Sequence, residues 1–259
     1  SVLSLPCKTK PKNKQMEINN FNNNINYVQS QEESASMSKT FIASVFSWMS
    51  AALVITSVVA YYFAHSITLL SLLINTESGG LSILGYVVMF APIIFVIAMS
   101  AGFNRFSYPV LLFLFLVYAA VMGASLSFIF LAYTSSSIAG TFAAAAGMFG
   151  LMAVVGYTTK TDLTKFGSIM LMGVIGIVIA SIINWFLQSD GLNYIISFIG
   201  VLVFTGLTAY DVQKLKNIGA GVQMGVASTS KLVIMGALNL YLDFINLFLF
   251  LLRLFGDRK

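Results

Sequence analysis

Seven apolar stretches of about twenty residues or more follow one another along this chain, each long enough to cross a bilayer. They run roughly over 41–63, 81–102, 108–132, 138–157, 167–188, 192–212 and 232–255. Inside hydrocarbon only a helix or a closed barrel satisfies its own backbone groups. Transmembrane strands alternate in character over about 10 residues, and these runs are longer and apolar on every side. They predict an all-α integral membrane protein, a bundle of seven transmembrane helices. Composition agrees, since 58% of the 259 residues are hydrophobic and only 9% are charged, against about 25% charged in soluble domains.

Residues 1–39 form a polar tail rich in Asn, Gln, Ser and Lys, and 40–259 form the membrane domain. The tail has no apolar run, so it is not a secretory signal peptide, and its composition predicts disorder. Lys8, Lys10, Lys12 and Lys14 offer charge to anionic lipid, although a solvated tail is the simpler reading. The chain opens on Ser1, and Met16 and Met37 are the internal starts it offers. The single cysteine, Cys7, lies in this tail and excludes an internal disulfide. The net charge of +5 comes from basic residues placed singly in connections. Nucleic-acid binding needs a clustered basic surface, so no nucleic-acid partner is expected; the expected surroundings are a lipid bilayer.

Lys and Arg also set orientation, because cytoplasmic loops are enriched in them. Lys39 precedes the first run, Arg105 follows the second, Lys160 and Lys165 follow the fourth, and Lys214, Lys216 and Lys231 follow the sixth. The alternate connections, 64–80, 133–137 and 188–191, carry neither Lys nor Arg. This places the N-terminus in the cytoplasm and the C-terminus outside. Arg253, Arg258 and Lys259 oppose that, so the last run either crosses against the charge rule or is partly re-entrant.

Small residues at four-residue spacing let membrane helices approach closely. Ala119, Gly123 and Ser127 form such a stripe on the third run; Ala143 with Gly147 and Ala146 with Gly150 form two on the fourth. Pro92 is expected to kink the second run. The ends of the fourth and sixth runs echo each other, Gly156-Tyr157-Thr158-Thr159-Lys160 and Ala209-Tyr210-Asp211-Val212-Gln213-Lys214, over too short a length to establish a repeat.

Asp243 lies inside the last apolar run, and Asp211 near the end of the run before it. A carboxylate at mid-membrane costs about 3 kcal/mol even on lenient scales and marks function by default. Thr205, Thr208 and Asp211 share one helix face by spacing; Asn239, Asp243 and Asn246 share another. Thr205 and Asn239 are expected simply to bridge helices. Measured from Leu232, Asp243 would lie about 16 Å deep at 1.5 Å per residue, too far from Asp211 to touch. A last helix capped by Ser228-Thr229-Ser230 would start earlier and bring the acids within reach. Two carboxylates sharing a low-dielectric site cannot both ionise cheaply; such a pair takes and releases protons as a unit. Protonated, it can tie two helices together; ionised, it can admit a hard cation such as Ca²⁺, which prefers oxygen ligands.

Gly206-Leu207-Thr208-Ala209-Tyr210-Asp211-Val212-Gln213 and Leu240-Tyr241-Leu242-Asp243-Phe244-Ile245-Asn246-Leu247-Phe248 closely resemble the paired signatures of the Bax inhibitor-1/YccA family, its bacterial branch especially. Gly156-Tyr157-Thr158-Thr159-Lys160-Thr161-Asp162-Leu163 is similar to that family too, and the resemblance covers about residues 37 to 256. It implies a seven-helix bundle with the last helix central, in the bacterial inner membrane. It also implies a pH-sensitive Ca²⁺ leak with an aspartate pair as proton sensor, which maps onto Asp211 and Asp243. Thr208, Tyr210, Asn239 and Asn246 belong to the same faces or motifs as supporting residues. The family's arginine at the cytoplasmic end of the second helix maps onto Arg105, slightly late, with Gly102 as the other equivalent. An acid that some relatives carry in the second helix is absent. The family's bacterial namesake resembles a modulator of a membrane-anchored AAA protease, which makes a non-conducting regulator with such a partner the alternative.

An intramembrane aspartyl protease also carries two acids on consecutive helices, but it needs glycines ahead of the second acid, where this chain has Tyr241-Leu242. The last run has no lysine for a Schiff base. His65, the sole histidine, sits at the end of the first run as an interfacial residue, and no Cys/His cluster offers a metal site. Gly219, Gly221 and Gly225 match no phosphate-binding loop. The expectation is a protein without enzymatic activity and without a bound cofactor.

Overall fold

The computed structural model describes residues 12–75, 80–222 and 225–259, with side chains described from residue 32 onward. Eight helices follow one another among these residues: α1 (Lys12–His65), α2 (Ile67–Leu73), α3 (Ile83–Gly102), α4 (Tyr108–Ala132), α5 (Ser135–Thr158), α6 (Thr164–Leu187), α7 (Asp190–Ala220) and α8 (Ala227–Phe255). All but α2 are long and apolar enough to cross a membrane, which gives the seven spans expected. The helix starts are set by local chemistry. Ser82 accepts from Gly85 N at 3.0 Å, Thr134 from Ser137 N and Ser189 from Leu192 N, both at 3.3 Å, each satisfying an amide that has no partner within its helix. The same device, Ser66 accepting from Leu69 N, starts the short α2 inside a connection expected to be a loop. α3 runs without a break through the buried Pro92.

The tail expected to be disordered falls largely outside the residues whose side chains are described. Its described part is helical from Lys12 rather than disordered, and Ser38 is buried and donates to Lys216 O at 2.8 Å. α1 is thereby tied to the far end of α7 before its apolar run begins.

α8 is the centre of the bundle. Its apolar stretch is 67% buried, against 11% for α6, and it packs against α1, α4, α5 and α7. α6 packs on α7 and makes no extended contact with any other helix. The aromatic side chains of α8 lock its rotation. Phe244 meets Phe142 and Phe149 of α5 edge to face, with centroids 5.1 and 5.6 Å apart, and Tyr241 meets Tyr118 of α4 at 5.5 Å.

α8 is one continuous helix of 29 residues, about 44 Å long at 1.5 Å per residue, so it crosses the bundle fully and the re-entrant reading is set aside. The basic connections meet at one end. Lys231 lies over the Phe103 ring at 4.9 Å, Lys216 donates to Tyr157 O at 2.7 Å, and Ser38 reaches Lys216. The C-terminal residues lie at the other end, where Lys259 N donates to Ala132 O and Thr134 N to Asp257 O.

Two packing expectations change. The α4 stripe is as expected: Ala119, Gly123 and Ser127 are buried, and a Cβ on Gly123 would come within 3 Å of Thr56 O. The α5 stripes are not at an interface. Ala143, Ala146, Gly147 and Gly150 are exposed, and the buried face is Thr141, Ala145, Phe149, Ala153 and Gly156. On a helix apolar all round, small-residue spacing does not fix which face is inward. The predicted cap at Ser228–Ser230 also moves. α8 starts at Ala227 after Val226, which gives no side-chain cap, and Ser230 Oγ donates back to Val226 O.

Candidate functional site

Asp243 is enclosed by the residues that hold α8 in place. Leu240, Tyr241, Phe244, Ile245 and Leu247 are each buried to 3% exposure or less. Since Tyr241 points to α1 and α4 and Phe244 to α5, Asp243 turns to α7. There Asp211 is the charged group that bears on it. Asp243 keeps only 6% of its surface exposed, and its Oδ2 has no hydrogen-bond partner. A buried carboxylate oxygen left without a donor is costly, so this position is not explained by helix bridging.

The two acids come within electrostatic reach because both helices run past their apolar stretches at this end, α7 to Ala220 and α8 from Ala227. Asp211 is half-buried. Lys214 bears on it from the next turn while its Nζ lies over the Tyr210 ring, 5.9 Å from the centroid.

The supporting residues divide. Thr208 is fully buried and donates to Phe204 O of its own helix at 2.8 Å. Tyr210 packs on Gly167 of α6, where any Cβ would strike its ring. Asn246 is half-buried and donates to Leu242 O at 2.8 Å. Asn239 is exposed, and the Thr205 hydroxyl is buried without a partner, so neither makes the helix bridge expected of it. Arg105 is exposed in the turn after α3, its backbone N donating to Gly102 O at 2.9 Å. It is not among the groups that bear on either aspartate.

Three residues that support the pair went unassigned at the level of sequence. Gln213, two residues beyond Asp211, holds the α5–α6 connection with both ends of its amide. Its Oε1 accepts from Leu163 N and its Nε2 donates to Thr161 O, both at 2.8 Å. Thr56 of α1 and Tyr241 of α8 share a buried hydrogen bond. The available signals were a hydroxyl in the middle of an apolar run for Thr56, and membership of the two signatures for Gln213 and Tyr241. The echoing segments meet in space as well: Gly156 packs on the backbone of Ala209, and Lys216 donates to Tyr157 O.

The connection that Gln213 holds carries Asp162, outside the spans. Its carboxyl is held below the usual carboxylate range, chiefly by the Thr164 hydroxyl at 2.6 Å and then by Thr164 N at 2.9 Å. Among the described residues, no three His, Cys, Asp or Glu side chains gather as a metal site.

This arrangement defines a class: an all-helical membrane protein of seven spans around a central helix that carries a buried acid opposite a second acid on its neighbour. The sequence model described as "Inhibitor of apoptosis-promoting Bax1" matches residues 38–259, and the chain belongs to the Bax inhibitor-1 family. It is 47% identical over 224 residues to "Inner membrane protein YbhL" of Escherichia coli strain K12, covering 85% of this chain and 93% of that one. It is 43% identical over 219 residues to an uncharacterized protein of Borreliella burgdorferi, covering 85% and 92%. A Rickettsia prowazekii protein is 40% identical over 224 residues, covering 85% and 91%.

Proposed function

We propose that this protein is a pH-sensitive cation leak, conducting Ca²⁺ and gated by protonation of Asp211 and Asp243. The observation that carries the reading is the Asp243 carboxylate, enclosed at the centre of the bundle with a free oxygen and with Asp211 as its charged neighbour. A proton on the pair removes the repulsion between α7 and α8 and favours a closed core; its loss restores two oxygen ligands and drives the helices apart. Ca²⁺ takes about 6–8 oxygens when held firmly. Two carboxylates without a third acid suit passage rather than storage, so Ca²⁺ is substrate here and no cofactor is invoked. The E. coli relative's name supports placement in the bacterial inner membrane, and the gathering of the basic connections at one end supports a cytoplasmic N-terminus.

An enzymatic reading has less support. The backbone ahead of Asp243 is covered by Tyr241, fully buried against α1 and α4, where a protease would need an open approach for its substrate.

The test is Ca²⁺ influx into dye-loaded liposomes holding the pure protein, followed between about pH 6 and pH 8, beside Asp243→Asn. Influx that varies with pH and is altered by the substitution is the expected result. Influx no greater than that of empty liposomes at every pH would overturn it and leave the non-conducting regulator, with a membrane-anchored AAA protease as the partner to seek.

A further inference from the structure

Arg253 and Arg258 are two of the three basic residues that oppose the charge rule for the C-terminal end, and the leak gives them no work; the third, Lys259, donates its Nζ to Phe130 O at 2.7 Å. Both line one recess of about 350 Å³ together with Ser181, Asn184, Trp185 and Asn193. Arg258 is held at its mouth by the main chain: residues 133 and 258 pair as an isolated bridge, and Lys259 N donates to Ala132 O at 3.0 Å. Arg253 extends from the last turn of α8, its guanidinium 5.6 Å from the Phe250 ring centroid. The ionisable groups that bear on Arg253 are Tyr133 and Arg258, and no carboxylate is among them. The nearby Asp257 is engaged elsewhere, with Oδ2 accepting from Ser137 Oγ at 3.2 Å. Two guanidiniums that feel each other without an acid between them form a site short of an anion.

The recess continues into a second one of about 390 Å³, which shares Ser181, Trp185 and Arg253. Beyond these its walls are apolar except for Asn246 of α8, with Val174, Val178 and Ile182 on α6 facing Phe204 and Phe250 on α7 and α8. It exists because α6 makes its extended contact with α7 and leaves a gap before α8. In a bilayer such a gap is filled by lipid. A cationic cup opening into an apolar trough, with Trp185 at the junction, has the shape of a phospholipid with its head at the interface.

We propose that the gap between α6 and the C-terminal end of α8 binds one anionic phospholipid, its phosphate on Arg253 and Arg258 and an acyl chain along the trough. Two of the three basic residues at this end are then ligands, and the topology is set by the basic connections at the other end. α6, whose extended packing is on α7, gains a second support from the bound chain.

The pure protein in detergent is titrated with phosphatidylglycerol or phosphatidylcholine of identical acyl chains, and bound lipid is counted by native mass spectrometry. Phosphatidylglycerol is expected to bind more tightly, roughly fivefold for each arginine near the headgroup, about 1 kcal/mol. Arg258→Gln, at an exposed position that leaves the fold intact, reduces that preference, and Arg253→Gln with Arg258→Gln abolishes it, with the melting temperature in lipid-free detergent unchanged. Equal retention of the two lipids by the unaltered protein, or an undiminished preference in Arg258→Gln, would overturn the proposal. Displacement of phosphatidylglycerol by soluble glycerol phosphate would also overturn it, in favour of a free phosphate ester.

Discussion

The hydroxyls of Thr56 on α1 and Tyr241 on α8 lie 2.7 Å apart in the buried core, and Thr56 also donates to Ala119 O of α4 at 2.9 Å. Thr56 has one hydroxyl hydrogen, so with that hydrogen on Ala119, Tyr241 is the donor to Thr56. The three helices are thus joined by a directed chain two residues before Asp243. Removing the acceptor costs more than removing the donor. Thr56→Val strands a buried tyrosine hydroxyl and is expected to destabilise by about 1–3 kcal/mol, whereas Tyr241→Phe loses one net bond, about 1 kcal/mol. The double variant is expected near Tyr241→Phe, because no polar group is then left without a partner. Thermal unfolding of the three variants in one detergent reads the order, and an equal loss from the two single variants would show the direction to be wrong.

Gln213 is a clamp on the α5–α6 connection. Gln213→Ala removes two hydrogen bonds, about 1 kcal/mol each, without touching the core. The expected result is faster hydrogen exchange at the Leu163 amide with the centre of α8 still protected. Gln213→Glu keeps the acceptor for Leu163 N and loses the donor to Thr161 O, so it should fall between the two.

Gly156 marks a close approach of α5 to α7. A Cβ there would strike the backbone of Ala209, and backbone does not rotate away, so Gly156→Ala is expected to cost about 1–3 kcal/mol. Gly147 on the same helix has nothing within 4 Å of such a Cβ, and Gly147→Ala is expected to be neutral or stabilising by up to about 1 kcal/mol. Melting temperatures of the pair separate an interface glycine from a lipid-facing one.

Asp162 lies in the clamped connection and is not a sensor for the neutral range. Its carboxyl is held low by the Thr164 hydroxyl and amide. The stability it lends the start of α6 is therefore present above about pH 4, the ordinary carboxylate range, and is lost as pH falls through its own lower value. Asp162→Ala should lower the melting temperature at neutral pH, with the difference shrinking in acid. The flux profile between about pH 6 and pH 8 should be unmoved, since the carboxylate is ionised throughout. A displaced profile would place a second sensor in this connection.

The spans were legible because run length in an apolar solvent is a one-dimensional quantity, and Asp243 stood out for the same reason: an acid in such a run has no cheap explanation. Helix ends were not legible, because hydrophobicity stops where the membrane stops while backbone hydrogen bonding continues. α7 runs on through Lys214 and Lys216 to Ala220, and this extension, with the early start of α8, brings Asp211 within reach of Asp243. The inward face of α5 is not legible in the sequence, because small residues occur on both sides of a helix that is apolar all round. The place of Asn239 on the Asp243 face suggests a bridge, yet that face reaches the surface one turn earlier. Thr56 and Tyr241 are 185 residues apart, and nothing in local spacing pairs them.

The joint action of the aspartates is the sharpest consequence of the site. Asp211 bears on Asp243 across α7 and α8, and residues in one such network deviate from additivity by about 0.5–3 kcal/mol. If they take up and release protons as one unit, Asp211→Asn and Asp243→Asn each flatten the dependence of Ca²⁺ influx on pH, and the double variant flattens it no further. Measured as influx rates at one alkaline and one acid pH, the double variant should then depart from the product of the single effects by about twofold to about hundredfold. Two single effects that simply multiply would mean independent carboxylates, each meeting the ion separately along a path. Two single variants with the unaltered profile would remove the pair from gating altogether, and the free Oδ2 of Asp243 would then call for a ligand other than a proton or a cation in transit.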